Sequence, residues 1–363
     1  MSAAVTSAAR LVGVDRLRGL VTVLMALDHA RHFLQPEHAD PENLAQTTPL
    51  YLLSRWLTHL CAPAFVLLAG AALALSQRSA GPWPDRRVLK RGLWLIFIEL
   101  TYVSFCWQFG FDRVHAGVLW AIGGGMVLMS LLPLPRAGLV VVGLGLPLLW
   151  ALLPWSHPLG PVGALLWSWS GALGPIDIGV SYGVIPWFGV LCLGRALGPA
   201  LRDPARALGL GAASLGLFAA LRLVGFGDPD ALNPALQGWR AAADLLNPSK
   251  YPPSLQFQAL FLGLALALIT PLRALPGRLG APLEVLGRVP LFFYFVHLPI
   301  YHVIGRIFSM LHYGVAQVPA DAAPALHLMA LSWVLGLAVV YPACRAWAAH
   351  KARHPGAWWG GYL

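Results

Sequence analysis

Long apolar runs alternate with short polar segments along this chain of 363 residues. A helix that crosses a membrane needs about 20 mostly apolar residues, each adding about 1.5 Å. By that measure the candidate spans are residues 15–34, 51–76, 88–109, 114–133, 138–154, 178–198, 207–226, 254–272, 283–308 and 325–348. Residues 155–177, rich in Trp, Pro and Gly, fit a re-entrant or interfacial segment or an extra short helix. The pattern predicts an all-α, polytopic membrane bundle of about ten transmembrane helices, forming a single domain over residues 1–363.

The basic residues orient this bundle. Cytoplasmic loops of membrane proteins carry an excess of Lys and Arg. Placing the N-terminus in the cytoplasm puts most of the 25 basic residues into cytoplasmic segments. An odd number of spans would break this alternation, so both termini are predicted to be cytoplasmic.

Composition agrees with a membrane environment. The chain is 58% hydrophobic and only 11% charged, whereas soluble domains usually carry about 25% charged residues. Lipid is therefore the expected partner of its surface. The net charge of +10 fits arginines in cytoplasmic loops, and no basic block with interleaved aromatic residues suggests nucleic acid. The four cysteines lie far apart without metal-ligand spacing, so no metal site is predicted.

The first span carries an unusual stripe of polar side chains. At about 100° per residue, Asp15, Arg18, Met25, His29 and His32 fall close to one line along the helix. Arg18 and His29 are about 16 Å apart along the axis. Charged groups in a membrane face a bundle interior or a wet cavity, so this stripe is expected to line one.

Structural alternatives exist for the same residues. Asp15 and Arg18 can pair at i, i+3 as an anchor at the inner interface. His29 can be a core histidine bonded to a carbonyl group. Neighbouring helix residues point about 100° apart, so Asp28 is not expected to bond His29. The partner that orients His29 should come from another helix.

The ninth span offers that partner. Tyr294 and His297 lie at i and i+3 on one face, and His297 follows Arg288 by about 13 Å. If Arg18 and Arg288 mark the same interface, His29 and His297 lie at similar depths and are predicted to face one cavity. The alternative for His297 is a carbonyl-bonded histidine beside a proline kink.

Other polar positions are Glu99 in the third span and the loop before the eighth. A carboxylate at Glu99 needs a cation or a proton, and an arginine of the basic 86–91 region is a candidate partner. Lys250 and Tyr251 are expected at the outer mouth, as substrate contacts or as interface anchors. Ser254 can cap the following helix.

Four motifs, in this order, carry a resemblance to a known family. They are residues 15–20 (DRLRGL) with 24–29 (LMALDH), 61–70 (CAPAFVLLAG), 250–254 (KYPPS), and 287–292 (GRVPLF) with His297. Together they resemble the heparan-alpha-glucosaminide N-acetyltransferase catalytic-domain-like proteins, which belong to a wider transmembrane acyltransferase superfamily. The bacterial branch is the most similar, which implies an integral protein of the bacterial inner (plasma) membrane.

The resemblance implies transfer of an acyl group, usually acetyl, from a cytoplasmic acyl-CoA to a hydroxyl or amine across the membrane. The expected donor is acetyl-CoA or another acyl-CoA, and the expected acceptor is a sugar or glycan at the outer face. The family's histidine lies near the outer half of the first span or in the loop after it. His29 occupies the first of these positions, and His32 and His38 occupy the second.

Three groups of residues are therefore expected to act in the reaction. His29 would be the general base or the acyl carrier, supported by Asp28 and His297. Arginines suit the phosphates of coenzyme A, so the expected donor site is Arg18, Asp15, Arg288 and Tyr294. The expected acceptor contacts are His32, Lys250 and Tyr251.

Two other functions compete with this one. Intramembrane Asp, His and Arg residues are what a proton-coupled transporter or permease needs, although the repeat symmetry common in carriers is not found in the sequence. A non-catalytic membrane subunit, or a sensor whose histidines respond to pH, is the third alternative. A homo-oligomer is compatible with each. No P-loop, dinucleotide-binding or zinc-protease motif occurs.

Overall fold

The computed structural model describes residues 11–76, 84–152, 169–173, 176–355 and 357. This part of the chain is mostly helical. The helices are α1 Val12–His32, α2 Pro49–Thr58, α3 Cys61–Leu75, α4 Arg86–Ile98, α5 Ser104–Gln108, α6 Val118–Leu131, α7 Arg136–Leu152, α8 Val184–Leu197, α9 Pro204–Val224, α10 Trp239–Leu245, α11 Leu255–Ala274, α12 Gly277–Arg288, α13 Pro290–Tyr313 and α14 Leu326–Arg353. A π-helical turn, Glu99–Val103, joins α4 to α5, and a 3-10 turn, Gly198–Arg202, follows α8.

The helical segments of the described chain include six that are long and apolar enough to cross a membrane. These are Pro49–Leu75, Val184–Arg202, Pro204–Val224, Leu255–Ala274, Pro290–Tyr313 and Leu326–Arg353. Large apolar side chains such as Leu217, Leu223 and Leu311 are exposed on them, as expected for surfaces that face lipid. The chain is thus an integral membrane protein. The count of ten spans and the cytoplasmic termini stay predictions, because helix length and composition alone fix neither.

Helix α1 lies at the centre of the bundle, in direct contact with α12. A Cβ atom on Gly19 would lie 1.9 Å from the carbonyl oxygen of Leu283, and one on Gly287 would lie 1.9 Å from that of Asp15. Only glycine allows two backbones to approach this closely. These two glycines belong to the DRLRGL and GRVPLF motifs, so the motifs meet at this crossing.

Arg16 joins α1 to the end of α11. Its guanidinium donates hydrogen bonds to the carbonyls of Leu272, Arg273 and Leu275, at 3.0, 3.1 and 2.8 Å, and pairs with Glu284. Carbonyls at the end of a helix lack partners within the helix, and Arg16 satisfies them. Arg16 therefore has a structural role.

The prediction of an all-α fold is wrong at one place. Strands β1 Arg113–Ala116, β2 Trp169–Leu173 and β3 Ile176–Val180 form a sheet in the order β1-β3-β2. Strand β3 pairs in parallel with β1 and antiparallel with β2. The predicted spans 114–133 and 178–198 therefore begin as strands, and their helices start only at Val118 and Val184. Each strand has at most five residues, too few to show a period that distinguishes it from the adjoining apolar helix.

The predicted ninth span, 283–308, is also wrong because the helix breaks inside it. Helix α12 ends at Arg288 and α13 starts at Pro290. Val289 between them has φ −133° and ψ 43°. These angles lie outside the helical region, and a residue before a proline disfavours helical angles for steric reasons.

The segment 155–177 is only partly described. Residues 155–168, 174 and 175 lie outside the described residues, while 169–173 form β2 and Ile176 begins β3.

Glu99 does not pair with an arginine of residues 86–91. It is fully buried at the start of the π-helical turn, and its Oε1 accepts a hydrogen bond of 2.7 Å from the backbone amide of Gly117. Gly117 immediately precedes α6. The carboxyl group thus satisfies an amide at a helix N-terminus.

Candidate active site

Two cavities approach each other along α1. The arginine cavity, of about 660 Å³, is lined by Asp15, Arg18, Arg91, Arg202 and Arg288 together with apolar residues. The histidine cavity, of about 1340 Å³, is lined by residues that include Asp28, His29, His32, Lys250 and Tyr251. Asp15 and Arg18 lie near the start of α1 and His29 near its end, so the two cavities open toward opposite ends of this helix.

The arginine cavity suits a polyanionic ligand. Arg18 donates to Asp15 at 3.1 Å and to the carbonyl of Gly287 at 3.2 Å, while Arg288 pairs with Glu284. Four arginines against one lining aspartate leave positive charge at the wall. Guanidinium groups bind phosphates through charge-assisted hydrogen bonds, and about 660 Å³ lies within the range of small-molecule sites.

His29 and His297 are in direct contact. His29 Nδ1 lies 2.6 Å from His297 Nε2, and the rings are stacked with centroids 4.8 Å apart. His297 Nδ1 lies 2.8 Å from the carbonyl oxygen of Phe293. The structure therefore brings together the two histidines predicted to lie at one depth, and the partner of His29 comes from another helix.

These contacts fix the positions of the protons. A carbonyl oxygen only accepts, so His297 Nδ1 must donate to Phe293. In a neutral ring this leaves a lone pair on His297 Nε2, and His29 Nδ1 must donate to it. The remaining nitrogen, His29 Nε2, then carries a lone pair. It makes no hydrogen bond with any described residue, and His29 lines the histidine cavity.

Asp28 holds neighbouring side chains in place and makes no side-chain hydrogen bond with His29. Its Oδ1 accepts hydrogen bonds from Arg31, from Arg55 at 3.1 Å and from Thr58 at 2.8 Å. The prediction that Asp28 would not bond His29 is confirmed. Any catalytic role of Asp28 must act through its charge or through the position of α1.

Glu42 extends this ion-pair network from the loop after α1. It accepts hydrogen bonds from Arg55 and, at 3.0 Å, from His59. Burial alone would raise the pKa of Glu42, but the bonds from His59 and Arg55 hold it well below its ordinary value. Sequence reasoning missed the roles of Glu42 and Arg55, because their contacts join segments distant along the chain. The pairing of Arg31 with Asp28 at i, i+3 was within reach of the sequence and was also missed.

Lys250 forms part of the wall of the histidine cavity. It is only 3% exposed, and its ammonium lies over the rings of Tyr251 and Tyr182, at 5.0 and 5.8 Å from their centroids. Within the described residues it has no carboxylate ion partner. Burial alone would raise the pKa of Tyr251, but the charges of Lys250 and Arg55 hold it below its ordinary value. Ser254 accepts from the amide of Phe257, so the predicted helix cap is confirmed.

Comparison with known families identifies the group to which this architecture belongs. The family model for heparan-alpha-glucosaminide N-acetyltransferase, catalytic, matches residues 10–226. The chain belongs to this family. The resemblance in the sequence motifs is thereby confirmed, and membership implies a membrane acetyltransferase. No curated protein matches the chain.

The family match covers part of the site. Arg18, Asp28 and His29 lie inside residues 10–226, whereas Lys250 and His297 lie beyond it. The heparan-alpha-glucosaminide N-acetyltransferase match therefore accounts for α1 and its stripe, and the contacts of His297 and Lys250 are known from the structure alone. The roles of all these residues remain predictions.

Trp107 and His115 also line the histidine cavity, and sequence reasoning missed both. The rings of His29, His32 and His115 surround Trp107, with centroids 4.9, 4.8 and 5.6 Å from it. Burial and the nearby charge of Arg113 lower the pKa of His115 to about 4. His115 lies on β1, and its position beside Trp107 depends on the sheet that the sequence did not predict.

The two cavities of this acetyltransferase share part of their lining. Met25, Phe65, Val118 and Tyr294 contribute to both, and we call these four residues the junction. His297 lines neither cavity and lies behind His29. Among residues 11–76, 84–152, 169–173 and 176–355, no group of three His, Cys, Asp or Glu side chains is placed to hold a metal ion.

Proposed function

We propose that this chain, as a single domain of about ten spans, transfers an acetyl group across the membrane. The donor is cytoplasmic acetyl-CoA or a related acyl-CoA, and the acceptor is a hydroxyl or amine of a sugar or glycan at the outer face. The observation that carries the proposal is the meeting of an arginine-lined cavity and a histidine-lined cavity at the junction. An acyl-CoA whose phosphates are held in the arginine cavity thus presents its thioester to the base in the histidine cavity.

The donor binds with its phosphates in the arginine cavity. Arg18, Arg91, Arg202 and Arg288 supply the positive charge, and Asp15 orients Arg18. Arg18 and His29 are about 16 Å apart along α1. The pantetheine arm of coenzyme A is long and thin, so it can follow the stripe of α1 while the thioester reaches the junction.

His29 Nε2 removes the proton from the acceptor as the acceptor attacks the thioester carbonyl carbon. A carbon–oxygen or carbon–nitrogen bond forms, and the carbon–sulfur bond then breaks. The proton passes from His29 to the leaving sulfur, which departs as the thiol of coenzyme A. His297 stabilises the protonated His29 ring by accepting its Nδ1 hydrogen, as the third member of a catalytic triad would.

The acceptor binds in the histidine cavity, which is large enough for a sugar with neighbouring residues. Its wall combines hydrogen-bonding groups with aromatic rings, among them His32, Tyr251 and Lys250. Asp28 and Glu42 already pair with Arg31 and Arg55. Among the described lining residues, Lys250 and Arg306 are cations without a carboxylate partner, and Lys250 supplies a cation for the acceptor beside Tyr251.

The test is acetyl transfer by the purified protein in detergent. Radiolabelled acetyl-CoA is supplied with glucosamine-containing oligosaccharides, and release of free coenzyme A thiol is measured alongside product. His29→Ala should abolish transfer but keep coenzyme A binding, and Arg18→Ala should lose binding. His312→Ala, at an exposed position near the end of α13, is the matched control.

The same experiment can contradict the proposed acetyl transfer. If folded wild-type protein neither binds coenzyme A nor releases its thiol, the acetyltransferase proposal is wrong for this chain. The proton-coupled carrier then becomes the better proposal, because cavities that meet from two sides also suit transport. Proton flux into vesicles containing the protein would test it.

A further inference from the structure

Tyr294 carries a hydroxyl group with no hydrogen-bond partner in the part of the chain that the structure describes. The residue lies on α13, three positions before His297, and is only 6% exposed. Other tyrosines of the bundle bond a carbonyl: Tyr102 donates to Phe295 at 2.7 Å and Tyr301 donates to Trp333 at 2.8 Å. The Tyr294 hydroxyl bonds none of the described residues. The Tyr294 oxygen is not among the fully enclosed side-chain atoms that lack a partner in the described chain, so the hydroxyl opens into the space that Tyr294 lines, and this unused donor calls for an explanation.

The position of Tyr294 supplies one. Tyr294 belongs to the junction, where its side chain lines both cavities. Its ring centroid lies 6.3 Å from that of His29 and 5.5 Å from that of His297. The side chains of Met25, Phe65 and Val118 offer no hydrogen-bond donor. Tyr294 therefore supplies the only side-chain donor among the four junction residues.

A thioester that reaches from the arginine cavity toward His29 must place its carbonyl group at the junction. Negative charge develops on that carbonyl oxygen when the acceptor attacks the carbon. A donor already fixed in a dry site stabilises this charge more than water does, because it needs no reorganisation. The junction places one donor, the Tyr294 hydroxyl, among three apolar side chains that offer no competing donor.

We propose that Tyr294 is a catalytic residue whose hydroxyl donates a hydrogen bond to the thioester carbonyl oxygen and stabilises the oxyanion of the tetrahedral intermediate. The inference rests on the proposed acetyl transfer. Tyr294 keeps its proton throughout. His29 moves the transferred proton from the acceptor to the leaving sulfur, and the electron pair on the oxyanion returns to the carbonyl as the carbon–sulfur bond breaks.

The experiment compares Tyr294→Phe with wild type. Phenylalanine keeps the ring and removes only the donor, so a purely steric role of Tyr294 would leave the kinetics unchanged. Loss of one oxyanion donor should lower kcat by about 10²–10³-fold, with little change in KM for acetyl-CoA. Tyr301→Phe, on the same helix but bonded to Trp333, is the matched control and should keep its kcat.

A spectroscopic measurement makes the test independent of the variant's activity. Acetyl-CoA labelled with carbon-13 at its carbonyl is bound to the protein without acceptor, and the carbonyl stretching frequency is recorded by infrared difference spectroscopy. Wild type and Tyr301→Phe should lower the frequency relative to free acetyl-CoA, and Tyr294→Phe should restore it. An active wild type with no frequency shift, or a Tyr294→Phe variant with unchanged kcat, overturns the inference. A wild type without coenzyme A binding or transfer overturns the proposed function itself.

Discussion

At the scale of single residues, the site depends on which nitrogen of His29 faces the acceptor. The sequence places His29 and His297 at one depth, but it cannot fix a tautomer. The tautomer of each ring is set by two contacts: the carbonyl oxygen of Phe293 lies 2.8 Å from His297 Nδ1, and His297 Nε2 lies 2.6 Å from His29 Nδ1. The three groups form one chain of hydrogen bonds that ends in a free lone pair on His29 Nε2.

Removing the middle of this chain should slow the reaction without weakening donor binding. In His297→Ala, the His29 Nδ1 hydrogen loses its acceptor, and an unsatisfied buried donor costs about 1–3 kcal/mol. We expect kcat to fall roughly ten- to hundredfold, while coenzyme A binding stays as in wild type because His297 lines neither cavity. Steady-state kinetics and calorimetric binding check this. Unchanged kcat in His297→Ala would contradict the hydrogen-bonded pair.

Lys250 should act on the acceptor alone. Its ammonium is buried at the wall of the histidine cavity without a carboxylate partner among the described residues. Hydrogen bonds to charged groups contribute about 1.5–3 kcal/mol. Lys250→Met should therefore raise KM for the acceptor about tenfold or more and leave KM for acetyl-CoA unchanged. Lys90→Met, at an exposed position on α4, is the control. Equal effects on both substrates would show a structural role for Lys250.

At the scale of secondary structure, the apolar pattern finds helices better than it finds their breaks. The predicted spans 207–226, 254–272 and 325–348 match α9, α11 and α14 closely, because each is a long apolar run bounded by polar residues. The break at Val289 and the three strands were missed. A proline at position 290 also fits the first turn of a new helix. The pairing of β1 with β3 joins residues about 60 positions apart and leaves no local signal, whereas β2 and β3 pair locally but have only five residues each, too few to show a strand period.

The crossing of α1 and α12 should be intolerant of any side chain at its two glycines. A Cβ at Gly19 or Gly287 would lie 1.9 Å from a backbone oxygen, so the helices would have to move apart. We expect Gly19→Ala and Gly287→Ala each to destabilise the fold by about 1–3 kcal/mol or more. Gly216→Ala on α9 meets no atom within 4 Å and should be neutral or slightly stabilising. Thermal unfolding in detergent separates the two cases, and equal melting temperatures would contradict the close crossing.

The loop after α1 should be held by Glu42 in a pH-dependent way. Its folded pKa lies below the ordinary value, so its stabilisation is complete above the unfolded pKa of about 4.3 and is lost as the pH falls further. Glu42→Gln should lower stability at pH 7 by about 1–2 kcal/mol. The difference from wild type should shrink between pH 4 and pH 3 in thermal unfolding scans. A difference that stays constant with pH would mean that the carboxylate charge contributes nothing.

At the scale of the whole molecule, the polar stripe of α1 is the part of the candidate site that the sequence predicted best. Asp15, Arg18 and His29 do line cavities, and Arg288 and Tyr294 join the first two in one of them. The stripe could be predicted because it lies within one helix, where spacing alone sets direction. Trp107, His115 and Arg55 reach the histidine cavity from α5, β1 and α2, and only the assembled fold brings them there.

If the cavities serve opposite faces of the membrane, donor and acceptor should react when they are separated by it. The protein is reconstituted into vesicles, and its orientation is read by a membrane-impermeant maleimide. Two single cysteines serve as reporters. One replaces Glu37 at the histidine cavity, and the other replaces Arg206 in the first turn of α9. The four native cysteines are buried and should not react. Acetyl-CoA supplied only on the Arg206 side should acetylate an acceptor enclosed on the Glu37 side. Product that forms only when both substrates share one side would rule out transfer across the junction, and the arginine cavity would then need another explanation.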